Sequence, residues 1–531
     1  MTSTVLRSLI IASIVLVLAG CGGGGGGGGG GFTNPPPPPP DTGWQSGVFQ
    51  DESNFARSCA VPGNSINLNT CQPVTDIQGS VLDENNFLRS WSNRTYLWYD
   101  EIVDRDPGLY NDPLDYFDLL KTTALSPTGA PKDKFHFTDN SLEYCQLSQG
   151  GVSAGYGVTW AFLSTIPPRE ILVAYTEPGT PATDNSLLRG AQVLEIDGVD
   201  INDNTQAGVD IINDGLFPAS LAESHDFTVQ DPDGTIRTIT MVSQEITVAT
   251  VQNTNVIDTP TGRVGYMTFN AFRAPSEEAL IDAINTLNQG AGIDDLVLDL
   301  RYNGGGFGDI ASQLGYMIAG PTATAGRIFL LDQYNDKHPI TDIFGRPIEP
   351  TPFYDETRGF SVAPGQPLPS LNLPRVFVLT GGRTASASEV LMNGLRGVGV
   401  QVIQIGSTTS GKPYGFFPQE NCGTTYFSIQ FRAVNDLDYG DFTDGFSPAA
   451  VDDGEANVLG CQVDDDFSEQ LGSTAEDRLE VALAYQAGRG CVAPVLGVPD
   501  GAAGKPGSAL RGKEPVIYRS FFDSNLILRR P

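Results

Sequence analysis

Between residues 264 and 406 short apolar runs alternate with amphipathic stretches, and this alternation restricts the fold more than any other feature of the chain. "VGYMTFN" precedes "SEEALIDAINTLNQG", which has a helix start at Ser276, apolar positions at 280, 281, 284 and 287, and a glycine stop at Gly290. The apolar run "DDLVLDLRY" follows, then "NGGG". Next comes "DIASQLGYMIAG", with Ile310, Leu314, Met317 and Ile318 on one helical face. "RIFLL", "RVFVLT" and "VQVIQIG" supply further strands. Strands that read as continuous apolar runs between helices predict βαβ units around a mainly parallel sheet buried on both faces. The expected class is a multidomain α/β protein with its α/β core over 249–491. Residues 44–146, with "FLRSWSNRTYLWYDEIV" and "DPLDYFDLLKTTAL", predict a small helical N-terminal domain. Residues 147–248 predict a β-rich domain of short strands such as "GVTWAF", "REILVAYT" and "IRTITMVS". The tail, 492–531, is rich in glycine and proline and ends in a short apolar stretch to which sequence assigns no role.

The 531 residues exceed what one hydrophobic core supports, consistent with several domains. A formal net charge of −32 argues against nucleic acid as a partner. "MTSTVLRSLIIASIVLVLAGC" has a basic start, an apolar run and small residues before Cys21, the pattern of a secretory signal over 1–20. Its "LAGC" ending resembles the lipobox of bacterial lipoproteins. That resemblance implies lipidation of Cys21; with Gly22 next, it implies anchoring to the bacterial outer membrane, facing periplasm or cell surface. Ten glycines (22–31) and six prolines (35–40) then form a tether over 21–43, a flexible run followed by a stiff one. Six cysteines remain: Cys59, Cys71, Cys145, Cys422, Cys461 and Cys491. In an exported chain they predict three disulfides among fifteen possible pairings. Nearness in sequence favours Cys59–Cys71 and Cys422–Cys461. No spacing matches a zinc site, and no metal or organic cofactor is expected.

Three histidines, His136, His225 and His338, offer little to a Ser-His-Asp triad. None follows a core strand, and each reads as a surface residue. In "RTASASEV" (383–390), Ser386 and Glu389 are spaced as a capping box at a helix start. Lys412, in "GSTTSGKPYGFF", follows the next strand, so one strand and one turn could return it to the serine's end of the sheet. A buried lysine whose pKa falls toward neutrality can serve a serine as general base. The same stretch imitates a phosphate-binding loop, but Pro413 stands where a magnesium-binding hydroxyl belongs and offers no N–H. The glycine turn after "LDLRYN" and the N–H of Ala387 are candidate donors for an oxyanion.

Together these residues resemble the C-terminal processing peptidases, or tail-specific proteases, in a lipoprotein branch. "TASASEV" is similar to the family's nucleophile motif with Ser386 in the catalytic place, "LVLDLRYNGGG" to its glycine turn, and "GK" at 411–412 to its general-base lysine. The resemblance implies Ser386 and Lys412 as a catalytic dyad, and Gly305 and Ala387 as oxyanion donors. It also implies a PDZ-like domain over 147–248, in which Gly155, Tyr156, Gly157 and Val158 resemble the loop that cradles a peptide's C-terminal carboxylate. The partners implied are protein or peptide substrates with exposed C-termini, and a membrane through the lipid anchor. Phe416 stands where many members carry a glutamine that orients the lysine, with Gln419 and Asn421 as nearby substitutes. The implied activity is serine endopeptidase. The alternative is a catalytically inactive peptide-binding lipoprotein of the same fold. A glycan hydrolase built on Asp452 and Asp453 has less behind it, since adjacent carboxylates in so acidic a chain usually mark a solvated turn.

Overall fold

The computed structural model describes residues 43–126, 128–492, 516–518 and 526–527. The signal segment, Cys21 and all of the tether but its last residue lie outside these.

The α/β core is built as the apolar runs predict. Its sheet has seven strands in the order Val251–Thr259, Gly262–Phe269, Asp295–Asp299, Arg375–Thr380, Gln401–Gly406, Asn457–Gln462 and Ser447–Ala449. Only the first pair is antiparallel. The runs are continuous because both faces are covered. Leu296, Leu298, Val376, Val378 and Val402 face helices Ser276–Leu287, Gly308–Thr324 and Ala387–Gly397. Val297, Phe377, Leu379, Ile403 and Ile405 face helix Asp477–Gln486 on the other side. All ten side chains are buried. Each such burial contributes about 1.5–3 kcal/mol, which holds the parallel centre between its two layers of helices.

Residues 147–248 fold on their own hydrophobic cluster, which includes Trp160, Val173, Val193, Ile212, Phe227 and Met241. Their antiparallel sheet runs Ile236–Val242, Ser224–Gln230, Gln192–Ile196, Glu170–Thr176, Val158–Ser164. Strand Val152–Gly155 pairs with Gln244–Thr247 and closes the base of the segment. A buried ionic network joins it to the core. Arg189 donates to Asp465 (2.8 Å) and to the Tyr302 hydroxyl (2.6 Å), while Arg301 donates to Asp299 (3.0 Å), Asp465 (2.8 Å) and Glu476 (2.6 Å).

The N-terminal segment is less self-contained than its helical pattern predicts. Ser80 and Asp83 form a capping box at the start of helix Val81–Thr95, whose Phe87, Leu88 and Trp91 pack with Tyr116, Phe117 and Leu120. Tyr426 of the core completes that cluster, and strand Phe137–Asn140 adds to core strand Thr424–Phe427. Three disulfides form, as the cysteine count predicts, but not in the pairs nearness favours. Cys59 joins Cys422, Cys71 joins Cys145 and Cys461 joins Cys491. Cys59–Cys71 and Cys422–Cys461 are therefore corrected: the sheet between 137–140 and 424–427 carries the N-terminal segment to Cys422, and chain distance says nothing of that. These bridges point to an extracytoplasmic protein. No helix among the described residues is long and apolar enough to cross a membrane.

The histidines also differ from expectation. His136 is buried, with its ring stacked on Phe117 at 3.9 Å, and burial pushes its pKa down to about 4. His338 is buried too, its Nε2 3.2 Å from the Arg94 carbonyl oxygen. His225 sits 2.7 Å from Asp197.

Two short strands of the tail are described. Val516–Tyr518 pairs antiparallel with Trp160–Phe162, at the edge of the 147–248 sheet. Leu526–Ile527 lies between Gly306–Phe307 and Tyr414–Phe416, parallel to both.

Candidate active site

Strand Arg375–Thr380 ends in a loop that delivers Ser386 to the start of helix Ala387–Gly397. Ser386 has φ 58° and ψ −115°, a conformation that costs a non-glycine residue of order 1–3 kcal/mol and persists only where its surroundings impose it. Those surroundings are specific. Only one half of the capping box forms a hydrogen bond, the Ser386 N–H donating to the Glu389 carboxylate at 2.8 Å. The Ser386 Oγ itself is buried without a hydrogen-bond partner. A buried hydroxyl left unsatisfied costs about 1–3 kcal/mol, a cost a purely structural cap would not carry.

The glycine turn packs directly on this serine. Gly305 has φ 109°, and a Cβ there would lie 2.9 Å from Ser386 Cβ and 3.0 Å from the Ala387 nitrogen, so no side chain fits. Asn303 organises the contact. Its carbonyl oxygen accepts from the Ala385 N–H (3.1 Å) and the Ser388 hydroxyl (3.0 Å), and its Oδ1 accepts from the Gly305 N–H (2.9 Å). The Gly305 N–H is thus engaged by Asn303. The Ala387 N–H, in the first helical turn, has no intrahelical acceptor and lies at the positive end of the helix dipole.

The lysine loop is tied to the same place. The Ser410 N–H donates to the Thr384 carbonyl oxygen at 2.9 Å. Glu389 accepts from the Thr409 hydroxyl (2.5 Å), the Gly411 N–H (2.7 Å) and the Lys412 N–H (2.8 Å) as well as from Ser386. One buried carboxylate therefore fixes both loops, and burial raises its pKa against those hydrogen bonds. Gly411, at φ 81°, passes the Thr443 carbonyl oxygen so closely that a Cβ would stand 2.3 Å from it. Lys412 is wholly buried, its Nζ 4.4 Å from the Phe416 ring centre and 4.9 Å from that of Phe135. Burial pushes its pKa well below that of an ordinary lysine, with Asp133 and Glu389 partly opposing. Phe416, where a glutamine is usual, is one apolar wall of the amine's pocket. Asn421 accepts from the Arg57 N–H at 2.8 Å, so its carbonyl serves the N-terminal segment; Gln419 donates to the adjacent Glu420 carbonyl oxygen at 2.8 Å. A cavity of ≈ 300 Å³ opens beside the lysine loop, lined in part by Phe135, Gly411, Tyr414, Lys134 and Asp444.

Sequence reasoning missed Asn303, Asp133 and Phe135. Asn303 immediately precedes the glycine turn, which is the one signal that could have singled it out. Asp133 and Phe135 come from the N-terminal segment and carry none.

In the 147–248 segment Gly155, Tyr156, Gly157 and Val158 form the turn into strand Val158–Ser164. The Tyr156 ring is buried against Phe227, and the Tyr156 and Gly157 carbonyl oxygens accept from the Ala182 (3.0 Å) and Glu177 (2.8 Å) N–H groups. Asp452 and Asp453 are exposed; Asp452 pairs with Arg396 (2.7 Å), and Asp453 accepts from the Asn457 side chain.

Residues 263–420 match Peptidase family S41. No curated protein matches the chain. Among solved structures, one similar fold is that of a Bacteroides fragilis protein titled as a putative S41 protease. It is 21% identical with a TM-score of 0.56, over 76% of this chain and 97% of that one. The photosystem II D1 C-terminal processing protease is 18% identical with a TM-score of 0.40, over 70% of this chain and 92% of that one. Residues 263–420 thus carry a likeness to peptidase family S41, within a multidomain α/β fold like that of S41 proteases.

Proposed function

We propose that the chain is an exported serine endopeptidase, anchored to the outer membrane through Cys21, that binds the C-terminal tails of protein substrates and cuts them with a Ser386–Lys412 dyad. The observation that carries this reading is the pairing of a strained, unsatisfied, buried serine hydroxyl with a lysine held in an apolar box on an adjoining loop. Neutral Lys412 takes the Ser386 hydroxyl proton as Oγ attacks the peptide carbonyl. The Ala387 N–H stabilises the oxyanion, and the Gly305 N–H joins it by exchanging the Asn303 oxygen for the substrate's. Protonated Lys412 then gives its proton to the leaving amine, and the acyl-enzyme is hydrolysed by water that Lys412 deprotonates. Residues 147–248 would act as a PDZ-like receptor, taking the substrate tail as an added strand with its carboxylate near Gly155–Val158.

The test is proteolysis by the exported chain with its disulfides formed, comparing wild type, Ser386→Ala and Lys412→Ala. The substrates are an unfolded protein with a free apolar C-terminus and the same protein amidated there. Cleavage by wild type alone, weakened by amidation, is the expected result. The engaged Gly305 N–H favours one second reading, an inactive tail-binding lipoprotein. All three proteins inert while tail peptides still bind would establish that reading instead.

A further inference from the structure

Sequence leaves the tail without a role, but among its described residues two short strands lie against the two regions assigned to substrate. Val516–Tyr518 extends the 147–248 sheet along strand Val158–Ser164, directly after the Gly155–Val158 turn, with Val516 opposite Phe162 and Tyr518 opposite Trp160. Leu526–Ile527 then fills the space between the glycine turn and the lysine strand. Leu526 is in register with Gly306 and Gly415, and Ile527 with Phe307 and Phe416. Gly306 adjoins Gly305, and Phe416 is the ring against the Lys412 amine. The gap is one strand wide, about 10 Å between its walls at ordinary strand spacing. Without the tail both walls present unpaired backbone groups, a template for any extended peptide. Backbone pairing does not depend on side-chain identity, so a substrate strand and this tail would use the same ladder.

We propose that the strands Val516–Tyr518 and Leu526–Ile527 are a built-in occupant of the substrate groove, held in cis, which an incoming substrate tail must displace; this rests on the proposed peptidase reading for what the groove normally takes. Strands of three and two residues are weak ligands alone. Belonging to the same chain changes that, because their binding is intramolecular and a free peptide must compete with it. The Cys461–Cys491 bridge fixes Cys491, where the tail begins, to a core strand.

The test uses the disulfide-bonded chain in three Ser386→Ala forms: full length, ending at residue 515, and full length with Ile517→Pro and Leu526→Pro. The prolines remove backbone donors while keeping the chain length. Fluorescence anisotropy follows a labelled synthetic peptide of residues 514–531. The shortened and proline forms should bind it about tenfold or more tightly than the full-length form. In the serine-bearing chains the same changes should lower KM by a similar factor with kcat unchanged. Equal peptide binding by all three forms overturns the proposal, as does no binding by the shortened form while its circular dichroism and melting match the full chain. Intact mass supplies a further check. Loss of the tail from the serine-bearing chain but not from Ser386→Ala would make it a substrate that departs, and would also overturn the proposal. Should no chain hydrolyse anything, the peptidase reading fails, and the anisotropy comparison still decides occupancy.

Discussion

Replacing Lys412 by methionine tests the buried amine without reference to catalysis. Methionine keeps the unbranched stem and nearly the volume, so the apolar box of Phe135 and Phe416 stays filled. What changes is the proton balance. The folded lysine has a pKa well below that of the unfolded chain because burial disfavours its charge. Above pH ~10.4 the amine is neutral in both states and has no effect on stability. As pH falls below that value the unfolded chain takes up a proton and the folded chain does not. Wild-type stability therefore falls by about 1.4 kcal/mol per pH unit until the folded pKa is reached, and is level below it. Lys412→Met has no such loss, and every other titrating group is common to the two proteins. The difference between their urea-unfolding free energies should thus grow at that slope as pH falls from 10.5. The pH at which it levels off reads the folded pKa directly. A difference that stays constant from pH 10.5 to 6 would show that Lys412 is protonated inside the fold and would refute its assignment as a base.

Glu389→Ala should cost at least 4 kcal/mol in urea unfolding, because it strips the acceptor from three buried N–H groups and one hydroxyl at about 1–3 kcal/mol each. Asp465→Ala should destabilise the chain by about 3–5 kcal/mol by leaving Arg189 and Arg301 short of a counter-charge. Its wild-type contribution has a defined pH window. The neighbouring guanidiniums hold the Asp465 carboxyl far below the carboxylate range despite burial, so the stability is present above pH ~4 and lost only as pH falls below it. The gap between the unfolding midpoints of wild type and variant, measured from pH 7 to 2, should therefore stay constant down to pH ~4 and narrow below it.

The core was legible because its strands are buried on both faces, which leaves a continuous apolar run for each. The serine, the glycine turn and the lysine were legible as residues because each follows such a run, and hydrogen bonds accepted by Asn303, Thr384 and Glu389 draw their loops together. What sequence hid lies in contacts made from far along the chain. His136 sits in a polar-looking stretch, yet the strand it precedes is pinned to Thr424–Phe427, and burial follows from that partner. Phe416 reads as a lost polar contact until Phe135 is seen on the other side of the amine. The disulfide pairing failed for the same reason. Glu389 was legible only as half of a helix cap, since nothing local shows that its other oxygen serves the lysine loop.

The bridge from Cys59 to Cys422 sets an order of events. Two groups that face the lysine amine, Asp133 and Phe135, belong to a segment emerging early when the chain leaves a membrane or ribosome amino end first. Lys412 emerges late, just ahead of the cysteine that locks the segment in place. Until then the early half of the pocket has no lysine to enclose, and the serine loop lacks the partners that hold its strained turn. The lysine pocket is therefore incomplete until the late half of the chain has emerged, and oxidation of Cys59 with Cys422 is the step that fastens it.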